Sequence, residues 1–137
     1  RGLEILDDAA YTERLAPITE AITEHIFRRA YTDHSLVNEA ENGVVDTTRV
    51  WWVQAEAVVG FLNGYQKAPE HREYLEAAKD IWDYIKTCVV DKRSGSEWFW
   101  SVDRDRKPIE KPIVEPWKCP YHNGRMCFEV IKRNVEG

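Results

Sequence analysis

The fold of this chain is decided at residues 49–62, which read RVWWVQAEAVVGFL. Apolar side chains occupy nearly every position, so a helix built from this run is apolar around most of its circumference. We predict a helix from Arg49 to about Gln66, with Thr47 or Thr48 as its cap. Because such a helix must be buried on most sides, other elements are expected to surround it.

The segments before and after this helix predict helices with only one apolar face. Asp7 and Asp8 break the chain, and apolar residues then recur at helical spacing among charged ones. Pro17 is expected near the first turn of that helix or at a kink within it. A third helix is expected to begin at Pro69. The two apolar stripes consist of Leu15, Ile18, Ile22, Ile26 and Ala30, and of Tyr74, Ala77, Ala78, Ile81, Trp82, Ile85 and Cys88.

Two stretches between the helices predict β-structure. Residues 36–45 predict a small hairpin, because Asn42-Gly43 supplies the two positive φ angles that a tight turn needs. Residues 97–102 read EWFWSV, an alternation that predicts a strand with both tryptophans on one face. Buried and solvent-facing helices therefore alternate along the chain. This arrangement favours an all-α fold class, part of an α/α toroid with short β-hairpins at the rim of a central cavity.

Composition limits the partners and compartments. A chain of 137 residues is long enough for one domain with a core, and its formal net charge of −5 argues against nucleic acid as a partner. No apolar run has the length that a membrane span requires, so no membrane partner is expected. Cys88, Cys119 and Cys127 are an odd number without a scaffold pattern, which favours free thiols in the cytoplasm. The chain opens on Arg1 within an apolar pattern, which we interpret as a piece of something longer.

A third informative stretch is residues 117–126, which read WKCPYHNGRM. Prolines make its first half extended, and apolar residues at helical spacing from Met126 onward predict a final helix. His122 is therefore expected at or just before the first turn of that helix, with Arg125 one turn further along. Trp117 precedes them on a rigid lead-in, so an indole and an imidazole are expected to converge.

These three stretches carry a resemblance to a known family. RVWWVQAEA with GFL following at residues 60–62, EWFWSVD at residues 97–103, and WKCPYHN-x-RM are similar in order and separation to the cellobiose 2-epimerases of the N-acylglucosamine 2-epimerase superfamily. The likeness extends from about Asp46 to Arg133. The WWVQAE and WKCPYH positions favour the cellobiose branch over the N-acylglucosamine epimerases.

The resemblance implies a fold and a reaction. The fold is an (α/α)6 barrel, of which residues 1–137 would be the C-terminal part of a single domain whose N-terminal part is missing. The reaction is epimerisation at C2 of the reducing-end sugar of β-1,4-linked disaccharides, through ring opening, proton abstraction, a cis-enediolate and proton return to the opposite face. Cellobiose would become glucosyl-mannose, and lactose epilactose. No cofactor or metal is expected.

The resemblance also assigns roles to particular residues. His122 matches one of two catalytic histidines, and Trp52 and Trp117 match sugar-stacking positions. Glu56 would accept hydrogen bonds from sugar hydroxyls, and Arg125 could orient His122 or offset enediolate charge. The second histidine of the family lies in a Gly-His-Asp/Asn-x-Glu context that these residues lack. We therefore expect the chain alone to be inactive, and to self-associate through exposed apolar surface unless the N-terminal part is present.

Each assignment has a structural alternative. Trp51 is assigned to packing, because adjacent helical residues face about 100° apart. Trp98 and Trp100 can simply brace the hairpin. Glu56 can belong to a buried ion pair, for example with Arg125.

A histidine at a helix start is more often a cap or a core group, and only the motif match argues for catalysis by His122. Zinc ligation by Cys119, His122 and Cys127 is disfavoured, because three ligands at that spacing, one of them in mid-helix, do not make a structural site. Three rival functions also remain open. One is N-acylglucosamine 2-epimerase or aldose–ketose isomerase activity, and another is a non-catalytic sugar-binding module. The third is a structural C-terminal half whose apolar inner faces require the missing part.

Overall fold

The computed structural model describes residues 2–133, which form five α-helices and three antiparallel pairs of short strands. The helices are α1 (Gly2–Leu6), α2 (Ala9–Arg29), α3 (Trp51–Lys67), α4 (Arg72–Tyr84) and α5 (Tyr121–Arg133), and a π-helical turn, Ile85–Val89, continues α4. The strand pairs are β1 (Tyr31–Thr32) with β2 (Ser35–Leu36), β3 (Glu39–Glu41) with β4 (Val44–Asp46), and β5 (Arg49–Val50) with β6 (Ser101–Val102). The predicted class, mostly helical with short hairpins, is confirmed.

The core is built around α3, which packs against both α4 and α5. Its buried residues include Trp51, Ala55, Val58 and Phe61, which belong to one hydrophobic core with the buried residues of α4. Burying a large apolar side chain contributes roughly 1.5–3 kcal/mol, so this contact supplies much of the driving force for folding. The predicted burial of α3 on most of its sides is confirmed. Within residues 2–133, no helix is both long enough and apolar enough to cross a bilayer.

The start of α3 differs from the prediction. Neither Thr47 nor Thr48 caps the helix; the N-cap is Val50, which has extended φ and ψ and no side-chain capping bond. Arg49 and Val50 instead form β5, and the amide of Trp51 donates to the carbonyl oxygen of Trp100 at 3.2 Å. A strand partner thus satisfies a backbone donor that a cap would otherwise have to satisfy.

The turn at Asn42-Gly43 is confirmed, with φ of 51° and 80°. It joins β3 and β4, a shorter hairpin than the predicted 36–45. A second hairpin, β1–β2, was not predicted. Its turn places two non-glycine residues, Asp33 and His34, at positive φ, so it lacks the usual glycine signal. The fully buried amide of Gln54 docks this hairpin on α3, accepting from the backbone N–H of Leu36 and donating to its carbonyl oxygen, both at 2.8 Å.

The outer helices also differ in their boundaries. The carboxylate of Asp8 accepts from the amides of Ala10 and Tyr11 and starts α2 early, so Pro17 lies well inside the helix. Helix α4 begins at Arg72, not at Pro69. In the stretch predicted as a strand from 97 to 102, only Ser101–Val102 forms a strand, with an isolated bridge from Trp98 to Val90.

The apolar stripe of α2 is not covered by the described residues. Ile18 and Ile22 are 52% and 53% exposed, and α2 has no buried residue. Leu15 and Ile26, which flank them on the same stripe, are also exposed. A stripe of this length on an amphipathic helix normally faces another element, so the surface it forms is one that a partner can cover.

Candidate functional site

The site lies where the first turns of α3 and α5 meet. The β5–β6 pair fixes the beginning of α3, and Trp52 and Glu56 follow four residues apart on one face of that helix. Helix α5 packs on α3 and begins at Tyr121, so His122 lies in its first turn, as predicted. Arg125 follows one turn later.

The carboxylate of Glu56 joins the two helices. His122 Nδ1 lies 2.9 Å from Oε1 of Glu56, and a guanidinium nitrogen of Arg125 lies 2.6 Å from Oε2. Because a carboxylate only accepts hydrogen bonds, it holds the proton on Nδ1 and leaves the lone pair of neutral His122 on Nε2. The side chains of His122 and Glu56 are each 33% exposed, so the pair is partly accessible to solvent.

Three aromatic rings surround His122. Trp52 lies with its ring centroid 5.7 Å from the imidazole at 41°, and Trp51 at 6.3 Å and 79°. Tyr121 makes an edge contact at 5.0 Å. Trp51 is buried, as its assignment to packing requires, whereas Trp52 is 41% exposed. One indole therefore supports the imidazole from within, and its neighbour offers an accessible apolar surface beside it.

Trp117 stands apart from this group. It lies in the segment before α5 and is 86% exposed. Within residues 2–133, the ring contacts of His122 are with Trp51, Trp52 and Tyr121, not with Trp117. The structure thus brings together four of the five residues proposed from the sequence, and leaves Trp117 as a separate exposed indole.

The remaining tryptophans have bracing contacts. Trp98 is buried in the core. Trp100 packs on Trp51 at 5.2 Å, donates from Nε1 to Glu115 at 2.7 Å, and carries the ammonium of Lys111 3.7 Å from its ring centroid. These contacts agree with the structural alternative, in which the pair supports the segment around β6.

Sequence reasoning missed a set of polar residues behind the site. Lys118 has a fully buried side chain and forms an ion pair with Glu97, which also accepts a hydrogen bond from Asn123. Lysine is almost never fully buried, so the residue type of Lys118 argued against this role. The ion pair could have been suspected only from the placement of both residues inside aromatic-rich runs, which is a weak signal.

A cavity of about 1110 Å³ lies away from the candidate site. It is lined by residues such as Cys88, Phe99, Arg106 and Ile113, and by none of the five proposed site residues. Across residues 2–133, no group of three or more His, Cys, Asp or Glu side chains could hold a metal ion.

Comparisons with known proteins identify the family to which this chain belongs. The sequence profile of the family described as N-acylglucosamine 2-epimerase (GlcNAc 2-epimerase) matches residues 5–124. The chain belongs to the N-acylglucosamine 2-epimerase family. Its relatives in this family include the cellobiose 2-epimerase of Eubacterium cellulosolvens, which is 48% identical over 132 residues. That match covers 96% of this chain and 32% of the relative, so the chain spans about a third of the length of the curated relatives it matches.

Two solved structures share the fold of this chain closely. A sugar epimerase from a ruminal bacterium matches with a TM-score of 0.95 and 46% identity, over 98% of this chain and 35% of that one. The cellobiose 2-epimerase of Bacillus thermoamylovorans B4167 matches with a TM-score of 0.83 and 47% identity, over 93% and 32%. The predicted class, part of an (α/α)6 barrel, is thereby confirmed.

Proposed function

We propose that this chain supplies one part of a carbohydrate epimerase that acts at C2 of the reducing-end sugar of β-1,4-linked disaccharides. The observation that carries the proposal is the pair formed by His122 and Glu56 beside the exposed ring of Trp52. Relatives that carry the name cellobiose 2-epimerase support this choice of substrate class. Cellobiose would become glucosyl-mannose, and lactose epilactose.

The chemistry requires a base and an acid on opposite faces of a flat intermediate. Ring opening exposes the C1 aldehyde, which acidifies the proton on C2. A base removes that proton, a cis-enediolate forms, and a proton returns to the other face. Nε2 of His122 can serve as one of these groups, because an imidazole both takes and gives a proton near neutral pH. The second group would come from outside this chain.

Glu56 and Arg125 then act through His122. Both carboxylate oxygens of Glu56 are already engaged, one by His122 and the other by Arg125. Glu56 therefore orients the imidazole, and the second lone pair of each oxygen can still accept a hydrogen bond from a sugar hydroxyl, the role that the resemblance assigns to it. Arg125 holds the second oxygen of Glu56 and contributes positive charge near the developing enediolate.

The exposed indoles suit the apolar faces of pyranose rings. Trp52 stands beside the imidazole of His122, where a sugar ring stacked on the indole would lie next to the proposed acid/base group. Trp117 is exposed on the segment that leads into α5 and would contact a second part of a disaccharide. A disaccharide is thus the proposed ligand, with neither metal nor cofactor required by these steps.

The chain is proposed as part of a single (α/α)6 barrel domain, whose N-terminal part would cover the apolar stripe of α2. The length of the relatives supports this proposal. A cytoplasmic location is proposed as well, supported by the free thiols of Cys88, Cys119 and Cys127 within residues 2–133.

The proposal is tested by grafting. The chain replaces the aligned third of the Eubacterium cellulosolvens enzyme, and the chimera is incubated with cellobiose in D₂O. We expect glucosyl-mannose with deuterium at C2, both followed by NMR, whereas the enzyme lacking its aligned third should be inactive. A folded chimera that binds cellobiose without exchanging the C2 proton would instead indicate a sugar-binding module.

The family profile also favours a second substrate class. Its description names N-acylglucosamine as the substrate of the family. N-acetylmannosamine is therefore tested in the same chimera. Mannose is tested as well, because it would be a substrate of the rival aldose–ketose isomerase activity. Turnover of either one with none of cellobiose would replace the disaccharide assignment and keep the same proton transfers.

The exposed stripe of α2 predicts self-association of the isolated chain. We expect sedimentation to show oligomers, because Ile18 and Ile22 gain burial when two copies meet. Replacing both by lysine should shift the chain toward monomer. The matched control replaces Val44 and Val45, exposed apolar residues on the β3–β4 hairpin, by lysine as well, and should leave the distribution of oligomers unchanged. A monomeric wild-type chain would contradict this prediction.

A further inference from the structure

A lysine lies fully buried directly behind the candidate site. The side chain of Lys118 has no exposed surface, and its ammonium contacts the carboxylate of Glu97 and the carbonyl oxygen of Ile113, the latter at 2.8 Å. The same ammonium lies 5.4 Å from the ring centroid of Trp51. An ammonium is costly to bury unless charged and polar partners surround it, so this lysine depends on Glu97.

Glu97 gathers donors from three separate segments of the chain. Its Oε2 accepts from the ammonium of Lys118 and from the backbone N–H of Trp98 at 2.9 Å. Its Oε1 accepts from the side-chain amide of Asn123, which lies in the first turn of α5. One carboxylate therefore ties the segment before β6, the loop before α5 and the beginning of α5 together.

These anchor points frame His122 along the chain. Lys118 lies four residues before it, and Asn123 follows it directly. The loop end at Lys118 is closed by two backbone hydrogen bonds with Glu115, at 2.9 and 3.1 Å. Trp51 contacts both the ammonium of Lys118 and the ring of His122, so the two groups share one support.

We propose that Lys118 and Glu97 are positioning residues for His122, which fix the rotation and the starting residue of α5. A helix that began one residue earlier or later would rotate its side chains by about 100°, which would take the imidazole away from Glu56. An apolar pair in place of the ions would fold equally well but would not specify one rotation. The consequence for catalysis rests on the proposed function.

The clamp formed by Lys118 and Glu97 is tested with variants that distinguish its effect on the orientation of His122 from its effect on stability. Lys118→Met alone leaves Glu97 buried without its cation and is expected to lower the Tm. Lys118→Met combined with Glu97→Gln removes both charges and should restore much of the Tm. The neutral amide introduced by Glu97→Gln can still bond Asn123, whose buried Oδ1 has no partner within residues 2–133. Lys111→Met, which replaces another lysine of the same loop, is the matched control.

The decisive readout is the tautomer of His122. In the ¹⁵N-labelled full chain, long-range ¹H–¹⁵N spectra should show the wild-type imidazole protonated on Nδ1, with the signal identified by its loss in His122→Gln. The double variant should show a mixture of tautomers, and the Lys111→Met variant the wild-type pattern. In the active chimera we expect kcat to fall about 10-fold in the double variant with little change in KM.

The outcomes separate this proposal from the proposed function. A changed tautomer in a chain whose chimera has no epimerase activity would support the clamp and reject the epimerase. A double variant with restored Tm, the wild-type tautomer and unchanged kcat would overturn the clamp, because the ion pair would then be only structural. An unchanged tautomer in the destabilised Lys118→Met variant would overturn it as well.

Discussion

Replacing His122 by glutamine is expected to lower the rate of C2 epimerisation in the active chimera by about 10²–10⁴-fold. The amide keeps much of the size of the imidazole and can hydrogen-bond, but it cannot take up a proton near neutral pH. Sugar binding through the exposed ring of Trp52 should persist, so kcat should fall far more than KM rises. The measurement is steady-state conversion of cellobiose.

Isotope exchange makes this prediction sharper. In a reaction with two acid/base groups, the group that remains still reaches the C2 proton of one epimer. His122→Gln should therefore abolish deuterium incorporation into one of the two disaccharides and retain it in the other. Loss of exchange from both would indicate instead that His122 is needed to open the ring or to bind the sugar.

The chain offers a matched control for the substitution. His71 also places Nδ1 2.8 Å from a carboxylate, that of Glu73, but this pair is exposed at the start of α4. His71→Gln should leave the rate of epimerisation within about 2-fold of the wild type, since surface substitutions of this kind act weakly. A His122→Gln chimera as active as the His71→Gln chimera would exclude His122 as an acid/base group.

The parts of the fold that the sequence predicted well are those determined by residues close together in the chain. The burial of α3 follows from its apolar residues, and the turn of β3–β4 follows from Asn42-Gly43, because each signal acts within a few residues. The start of α3 could not be predicted in this way. Its first amide is satisfied by Trp100, a residue far away in the sequence, so Thr47 and Thr48 were plausible caps that the tertiary structure did not use.

The site shows the same division. The resemblance pointed to Trp52, Glu56, His122 and Arg125, and the structure brings these four together. The resemblance could not show that each oxygen of Glu56 accepts a hydrogen bond from a protein group, because those bonds depend on how α3 and α5 pack together. Lys118 escaped notice for a related reason, since only a partner from a different segment makes a buried lysine tolerable.

Replacing Glu56 by glutamine is expected to lower kcat by up to about 10⁴-fold, the loss that follows when the carboxylate partner of a catalytic histidine is replaced and the imidazole takes the wrong tautomer. Glu56 accepts from two donors, His122 Nδ1 and Arg125. An amide has one accepting atom and one donating atom, so the substituted side chain must turn its NH₂ toward one of them. If the NH₂ faces Nδ1, the proton of the imidazole moves to Nε2 and the base is lost. If it faces Arg125, two donors oppose each other.

Arg125→Gln separates the two halves of this arrangement. It leaves the bond between Glu56 and His122 in place, so the tautomer should stay as in the wild type and kcat should fall less than in Glu56→Gln. The tautomer is read from ¹⁵N chemical shifts in the chain and kcat from the chimera. Equal losses in both variants, with the tautomer of His122 unchanged in each, would mean that the pair of Glu56 and Arg125 joins α3 to α5 without orienting the imidazole. A selective loss in Glu56→Gln ties catalysis to the carboxylate that holds the proton on Nδ1, and through it to the packing of α5 on the buried helix α3.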